Sequence, residues 1–307
     1  MSDSSLAIGI DIGGTKTGIG LVSTDGRIVR QEKFPTDSKL GIASIGERIT
    51  RCIRSLCSQE KVSWESLGGV GIGCPGPMNR QTGEIMNPHT LPGWEQGSLT
   101  EAIRESLSLP TALENDADAA LLGECLAGAG RGTRHAVMLT FGTGVGGAAL
   151  VGGRILRGVD DEHPEIGLIP TLPSEPVDYS GVPGSLESLA SGTGIAKAGK
   201  RCGFPDCPAV FTAAADKNPN AGEILEKAST AIALACLGLA HTLCPERIIL
   251  GGGIMDDHFD SLTAKAQEAI ARGTLLPTGK IKIVRAQLGN QAGLVGAASL
   301  CFRADSQ

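Results

Sequence analysis

Aromatic side chains are scarce, with Phe, Trp and Tyr making up 3% of the 307 residues. So few rings argue against a surface that stacks nucleic-acid bases. Positive charge is short as well: 27 Lys and Arg face 33 Asp and Glu, a net charge of −6. No basic cluster repairs that balance, so the electrostatic footprint of a nucleic-acid binder is missing. No apolar run reaches the ~18–20 residues of a membrane-crossing helix. The most apolar stretch, Ala228–Ala240, is short, is interrupted by Ser229 and Thr230, and reads as a core helix. Met1-Ser-Asp-Ser-Ser5 has neither the basic start nor the apolar core of a signal peptide. Nine scattered cysteines form no disulfide framework and suit free, buried thiols in a reducing compartment. These absences predict a soluble cytoplasmic protein without a nucleic-acid or membrane partner.

Glycine, in contrast, is abundant, with 44 residues, about twice the usual ~7%. It gathers at the ends of apolar runs and not in a repeat. Ile8-Gly-Ile-Asp-Ile-Gly-Gly-Thr-Lys-Thr17 and Met138-Leu-Thr-Phe-Gly-Thr-Gly-Val-Gly-Gly147 each pass from a strand-like run into glycine and threonine. Such turns let a phosphate approach backbone N–H groups with no Cβ in the way, and hydroxyls add donors. A single glycine turn often does no more than reverse the chain. Two of them, about 130 residues apart, suggest a polyphosphate gripped by two halves of a molecule, and hence phosphoryl transfer from a nucleotide.

The length suits two α/β lobes around a cleft. Strands are expected at Leu6–Ile12, Gly18–Val22 and Ile28–Phe34 as an antiparallel meander, then at Gly68–Gly73 and Thr111–Glu114. A second meander is expected at Ala136–Thr140, Gly146–Val151 and Arg154–Ile155, with later strands at Arg247–Leu250 and Ile281–Arg285. Helical periodicity marks Ile42–Ser58 (Ile42, Ile45, Ile49, Ile53 and Leu56 on one face), Leu99–Leu107, Ala117–Ala127, Ile224–Leu243, Phe259–Ala271 and Ala292–Leu300. Proline-rich Ile169–Pro183 reads as a loop.

Taken in order, the chain carries Asp11-Ile-Gly-Gly-Thr-Lys16, Gly73-Cys-Pro-Gly-Pro77, Asn87-Pro-His-Thr-Leu-Pro-Gly-Trp94 and Leu113-Glu-Asn-Asp-Ala-Asp118. Gly142-Thr-Gly-Val-Gly-Gly147, His163-Pro-Glu-Ile-Gly167, Leu186-Glu187, Gly251-Gly-Gly253 and Leu288–Ala298 follow. This ordered set resembles the ROK family of bacterial sugar kinases over nearly the whole chain. The resemblance implies a two-lobed α/β fold of the actin-like, ribonuclease-H-like ATPase type. The N-terminal lobe would span residues 1–117 plus 290–307, and the C-terminal lobe 118–289. It implies transfer of the ATP γ-phosphoryl group to a hexose hydroxyl, usually the 6-OH, with glucose or a related aldohexose expected and a fructose or N-acetylhexosamine acceptor as the alternative.

A sugar hydroxyl is a poor nucleophile, so a carboxylate must orient it and take its proton. Asp116 matches the family's catalytic base; a helix cap is the plainer reading of its position. Asp11 matches the residue that holds Mg2+ directly or through water, as a hard cation favours sparse carboxylate ligation plus phosphate oxygens. The family pattern assigns sugar contacts to Gly76, Asn87, Asn115, Glu165 and Glu187, together with Asp116. Phosphate contacts would fall to Gly13, Gly14, Thr15, Gly142, Thr143 and Gly144, and adenosine contacts to Gly251, Gly252 and Gly253. Lys16 would address phosphate, or stand as a solvated turn residue. A homodimer is implied by the family alone.

The chain also departs from the pattern. Most members carry a histidine after Glu-x-Gly and a knuckle of cysteines that bind a structural zinc. Here Leu168 replaces the histidine, Ser185 stands where the last ligand would be, and no cysteine lies between Cys125 and Cys202. No zinc is therefore expected, and Pro170, Pro173, Pro176 and Pro183 are expected to restrict the loop instead. His163-Pro-Glu resembles fructokinase-like members. The family also includes sugar-sensing repressors with a preceding winged helix-turn-helix; the start of the first strand at Leu6 and the acidic charge favour the kinase reading. A sugar-binding protein without catalysis is a further alternative, opposed by Asp11, Asp116 and both glycine loops.

Overall fold

The computed structural model describes residues 5–95, 97–173, 180–273 and 279–302. Met1–Ser4 and Pro176, both used above, lie outside them. Two compact units emerge, one of the residues up to Gly132 together with those from Asn290, the other of Thr133–Gly289.

In the first unit, β1 (Leu6–Ile12), β2 (Lys16–Ser23) and β3 (Ile28–Pro35) form the meander, followed by α1 (Gly41–Gln59) and β4 (Leu67–Cys74). A small hairpin of β5 (Met78–Asn79) and β6 (Glu84–Ile85) precedes α2 (Leu99–Leu107), β7 (Thr111–Asn115) and α3 (Asp116–Ala127). The five-stranded sheet runs β3-β2-β1-β4-β7. Its first three strands are antiparallel, while β1, β4 and β7 are parallel.

The strands alternate between bulky residues and glycine, and this gives the sheet two unlike faces. Ile8, Ile10, Ile19, Leu21, Val70 and Ile72 point into a core completed by Ile45, Ile49 and Ile53 of α1 and by Leu99 and Ile103 of α2. The opposite face offers Gly9, Gly20 and Gly71, and onto it packs the helix formed by Ala292–Ser299 near the end of the chain. Backbone meets backbone there: a Cβ at Gly71 would overlap the Ala297 carbonyl, and one at Gly9 the Leu294 carbonyl. The same helix packs on α3, where a Cβ at Gly296 would overlap the Ala119 carbonyl. That contact groups α3 with the first unit, and the compact units divide after Gly132.

The second unit repeats the plan. β8 (Ala136–Phe141), β9 (Val145–Val151) and β10 (Arg154–Ile155) form a meander; α4 (Leu186–Ala190), α5 (Gly192–Arg201), α6 (Cys207–Ala215) and α7 (Pro219–Leu243) follow. β11 (Arg247–Gly251), α8 (Gly253–Arg272) and β12 (Lys282–Arg285) complete it, and the helix Ala292–Ser299 of the first unit is α9. The sheet order is β10-β9-β8-β11-β12, antiparallel through β8 and then parallel.

Three helices went unread in the sequence, α4 to α6. Gly192, Gly194 and Gly199 mask the periodicity of α5, and α4 and α6 are short, with five and nine residues, but the caps were legible: Ser185, Ser191 and Asp206 each accept from the third helical N–H of α4, α5 and α6. Helix α8 starts at Gly253 and not at Phe259, with His258 at a non-helical φ of −123° inside it. Helix α7 is also longer than expected. Its 25 residues, with mean hydropathy 1.3 over the most apolar window, would suffice to cross a membrane by length and composition alone. Half of that window is buried, and Ala228, Ala231, Ile232, Ala235 and Cys236 belong to the core of the second unit.

All nine cysteines are free thiols; Cys57, Cys74 and Cys236 are buried, whereas Cys202 and Cys244 are exposed.

Candidate active site

In the first unit, strand register assembles the expected residues. Asp11 at the end of β1 lies beside Gly73 of β4, Gly73 beside Glu114 of β7, and Cys74 beside Asn115. The carboxyl ends of three neighbouring parallel strands thus converge on one edge. Asn115 ends β7 and caps α3, its Oδ1 accepting from the N–H groups of Ala117 at 2.8 Å and Asp118 at 3.4 Å. The cap is therefore Asn115, which relieves Asp116 of that duty and makes it the first residue of the helix. Asp116 Oδ1 accepts from the adjacent Ala117 N–H at 2.9 Å.

Asp11 is partly buried, and its carboxyl is pushed up to about 6 by loss of hydration and then by the charge of Asp116; Lys33 opposes the shift. The two aspartates are thus near enough to repel. Behind them the Cys74 thiol is held well above its ordinary range by burial and by Asp116, Glu114 and Asp11. The Asp11 carboxylate also lies against α9, where a Cβ at Gly293 would come within 2.9 Å of Oδ1.

Lys33 escaped the sequence reading. Asp11 pairs with Gly18 on β2, and Gly18 with Lys33 on β3, so the three share a lateral row. A Cβ on Gly18 would lie 3.9 Å from the Lys33 stem, so glycine leaves the lysine room to lie across the strand. The signal was present as register, which is read only once strands are paired.

Gly76, Asn87 and Asn115 also come together. Asn87 Nδ2 donates to the Gly76 carbonyl at 2.6 Å, while its Oδ1 accepts from His89 and Thr90 N–H groups at 3.1 and 2.8 Å. A Cβ on Gly76 would sit 3.5 Å from Asn115 Nδ2. Glu114 positions Asn115 from behind: it is buried, pairs with Arg80 at 3.0 Å and accepts from the Asn115 N–H at 2.8 Å. The first glycine turn is closed by Gly13 N–H donating to the Lys16 carbonyl at 2.9 Å, and Gly14, Thr15 and Lys16 are exposed. Gly14 approaches the Asn87 turn, since a Cβ there would lie 2.9 Å from the Thr90 methyl.

In the second unit the Gly142–Gly144 turn is held from two sides. Helix α5 directs its first N–H groups at it, Gly192 to the Gly142 carbonyl at 2.8 Å and Thr193 to the Thr143 carbonyl at 3.2 Å. Glu187 on α4 accepts from the Val145 N–H at 2.8 Å. Glu165 is exposed. Ile166 beside it packs where Gly147 lacks a side chain, which seats the turn on β9. Gly252 has φ +89° and lies against the Phe141 backbone, a position only glycine fills without strain. A cavity of about 1150 Å³ runs from Gly142, Thr143 and Gly253 to Phe211 and His258, and a neighbouring one of about 640 Å³ reaches Thr143, Gly144 and Glu187.

Among the described residues, no three His, Cys, Asp or Glu side chains gather as a metal site. Ser185 is buried as the cap of α4, accepting from Ser188 N–H at 3.0 Å. The loop it closes is pinned by backbone pairing of Ile169 with Leu186 and of Thr171 with Gly184.

The two units share the strand order of the actin-like, ribonuclease-H-like ATPases, and solved structures of that fold match the chain. A ROK hexokinase from Thermus thermophilus superposes with a TM-score of 0.83 at 28% identity, covering 95% of this chain and 96% of that one. A ROK family glucokinase from Streptomyces griseus, in complex with glucose and AMPPNP, gives 0.75 at 28% identity, covering 96% and 98%. By sequence the chain is 33% identical to a glucokinase from Thermotoga maritima over 95% of its length and 96% of the relative's. It is 30% identical to a fructokinase from Zymomonas mobilis over 97% of each. The ROK family model matches residues 7–304. The chain belongs to the ROK family.

Proposed function

We propose that the protein is an ATP-dependent hexokinase that transfers the γ-phosphoryl group to a hexose hydroxyl, the 6-OH of glucose or a related aldohexose. The observation that carries this reading is the release of Asp116 from capping by Asn115, beside Asp11 at the edge where three parallel strands end. Asp116 orients the sugar hydroxyl and takes its proton as oxygen attacks the γ-phosphorus and the bond to ADP breaks. Gly76, Asn87, Asn115, Glu165 and Glu187 bind the sugar. Gly13, Gly14, Thr15, Lys16, Gly142, Thr143 and Gly144 receive phosphates, and Gly251–Gly253 the adenosine.

A Mg2+ ion suits the acidic edge. Two mutually repelling carboxylates, with the Asp11 oxygens against a bare Gly293 Cα, offer hard oxygen donors and a charge deficit that a divalent cation relieves. Asp11 would hold it, directly or through water; when bound, it neutralises phosphate charge.

Fructose is the second reading, favoured by His163-Pro-Glu-Ile-Gly167. The family supports a homodimer, the free cysteines suit a reducing cytoplasm, and the acidic charge opposes nucleic-acid binding. A coupled ADP-release assay across glucose, mannose, fructose, N-acetylglucosamine, N-acetylmannosamine and allose tests the reaction. Sugar-dependent release is expected, strongest for an aldohexose; none with any sugar, from folded protein, refutes it.

A further inference from the structure

Phe211 and His258 stack face to face, ring centroids 3.7 Å apart and planes within 1°. Both line the 1150 Å³ cavity that begins at Gly142, Thr143 and Gly253. In a chain with six Phe, two Trp and one Tyr, a half-buried ring spent on a cavity wall calls for a cause. The backbone is arranged around it. His258 breaks the helical geometry of α8, and Ser261 Oγ donates to the His258 carbonyl at 3.0 Å, giving that carbonyl a partner at the break. Opposite, α6 is anchored by Asp206, whose carboxylate accepts from the Ala209 N–H at 2.9 Å, two residues before Phe211.

We propose that the Phe211–His258 pair is the platform against which the heteroaromatic base of the phosphoryl donor packs, so that base contact as well as phosphate contact selects the donor. The inference rests on the reading above that the donor is a nucleotide. Its chemistry is that of flat π-surfaces: a purine base gains dispersion and desolvation against a preformed aromatic wall, whereas an inorganic polyphosphate gains nothing from it. The glycine turn at Gly251–Gly253 gives close backbone approach but no such surface. The pair supplies it.

The test uses the full chain with Phe211→Ala, Phe211→Leu (which keeps apolar volume without the ring) and His258→Ala, folding being checked by circular dichroism. The expected result is a rise in ATP KM of roughly 5- to 100-fold, the range for losing one base-stacking contact. The hexose KM, and inhibition by inorganic tripolyphosphate as a base-free probe, should stay within two-fold of wild type. ATP KM within two-fold of wild type in Phe211→Leu and His258→Ala overturns the proposal. So does a parallel weakening of ATP and tripolyphosphate, which would mean general damage to the cavity. If the wild type shows no sugar-dependent turnover, the kinase reading fails separately, and the platform is still read by the thermal shift that ATP induces in wild type and variants.

Discussion

Glu187 accepts a hydrogen bond from the Val145 N–H at 2.8 Å and fills the space that a side chain on Gly144 would occupy. A residue expected to contact sugar thus also shapes the Gly142–Gly144 turn. The two roles separate by substitution. Glu187→Gln keeps an acceptor for Val145 and should raise the hexose KM while leaving ATP KM near wild type. Glu187→Ala removes the acceptor and should raise both, about ten-fold each, the loss expected of a hydrogen bond to a charged group. Steady-state kinetics with each substrate varied decides; an unchanged ATP KM in Glu187→Ala would free the turn from this carboxylate.

Asp116→Asn should lower kcat on the order of 10²–10⁴-fold, the usual contribution of a general base, with hexose KM changed little. Because Asn115 and not Asp116 caps α3, the melting temperature should hold. Asn115→Ala, by the same logic, should cost about 1 kcal/mol of stability. Thermal melts alongside the coupled assay distinguish the pair.

Asp11 makes stability depend on pH. Its carboxyl is raised from 3.8 to about 6 in the folded protein, so between those values the folded state binds more protons than the unfolded one. Stability should therefore fall as pH rises through that window and stay lower above it, by an amount on the order of 2–3 kcal/mol. Asp11→Asn should raise the melting temperature at pH 7.5 in metal-free buffer, with the gain vanishing near pH 4, and should abolish turnover. Wild-type activity should decline as pH drops through about 6, where the carboxylate that would hold Mg2+ is protonated. Identical melting curves for wild type and Asp11→Asn at pH 7.5 would contradict this account.

The glycine face of the first sheet should tolerate no methyl group. Gly71→Ala would drive a Cβ into the Ala297 carbonyl, and overpacking of that kind costs 1–3 kcal/mol, more where backbone must move. Gly238, exposed in the middle of α7 with open space around its Cα, should behave oppositely, Gly238→Ala adding about 1 kcal/mol. Urea denaturation of the two variants gives both signs in one experiment.

The neck of the 169–186 loop should be indifferent to chelators, because Ser185 caps α4 and backbone pairing ties Ile169 to Leu186. Incubation with EDTA should leave the melting temperature unchanged, and elemental analysis should find no stoichiometric zinc. Ser185→Ala should cost about 1 kcal/mol through the lost cap.

Much of this was open to a reader of the sequence. Alternation of isoleucine with glycine announced β1 and β4, and the face of α1 at Ile42, Ile45, Ile49, Ile53 and Leu56 is buried as its spacing requires. Helices α4 to α6 were not read, because α4 and α6 are short and glycines interrupt α5, so that the caps carried the signal. The start of α8 at Gly253 was missed since the glycine run resembles a turn and is one only as far as Gly252.

The sequence by itself determined the strands of the two five-stranded sheets, the two glycine turns, the order of motifs and therefore the family, because these depend on side-chain period and local backbone freedom within a few residues. What it left open needed partners brought together from far along the chain. Lys33 reaches toward Asp11 across Gly18 because three strands pair in one register. Asn115 takes the cap that Asp116 was equally suited to fill, because the end of β7 and the start of α3 fall between them. Phe211 meets His258 because α8 breaks its helix there. Each is a contact in space, set by packing and hydrogen bonding among elements, and spacing along a chain does not encode which residues a fold will place side by side.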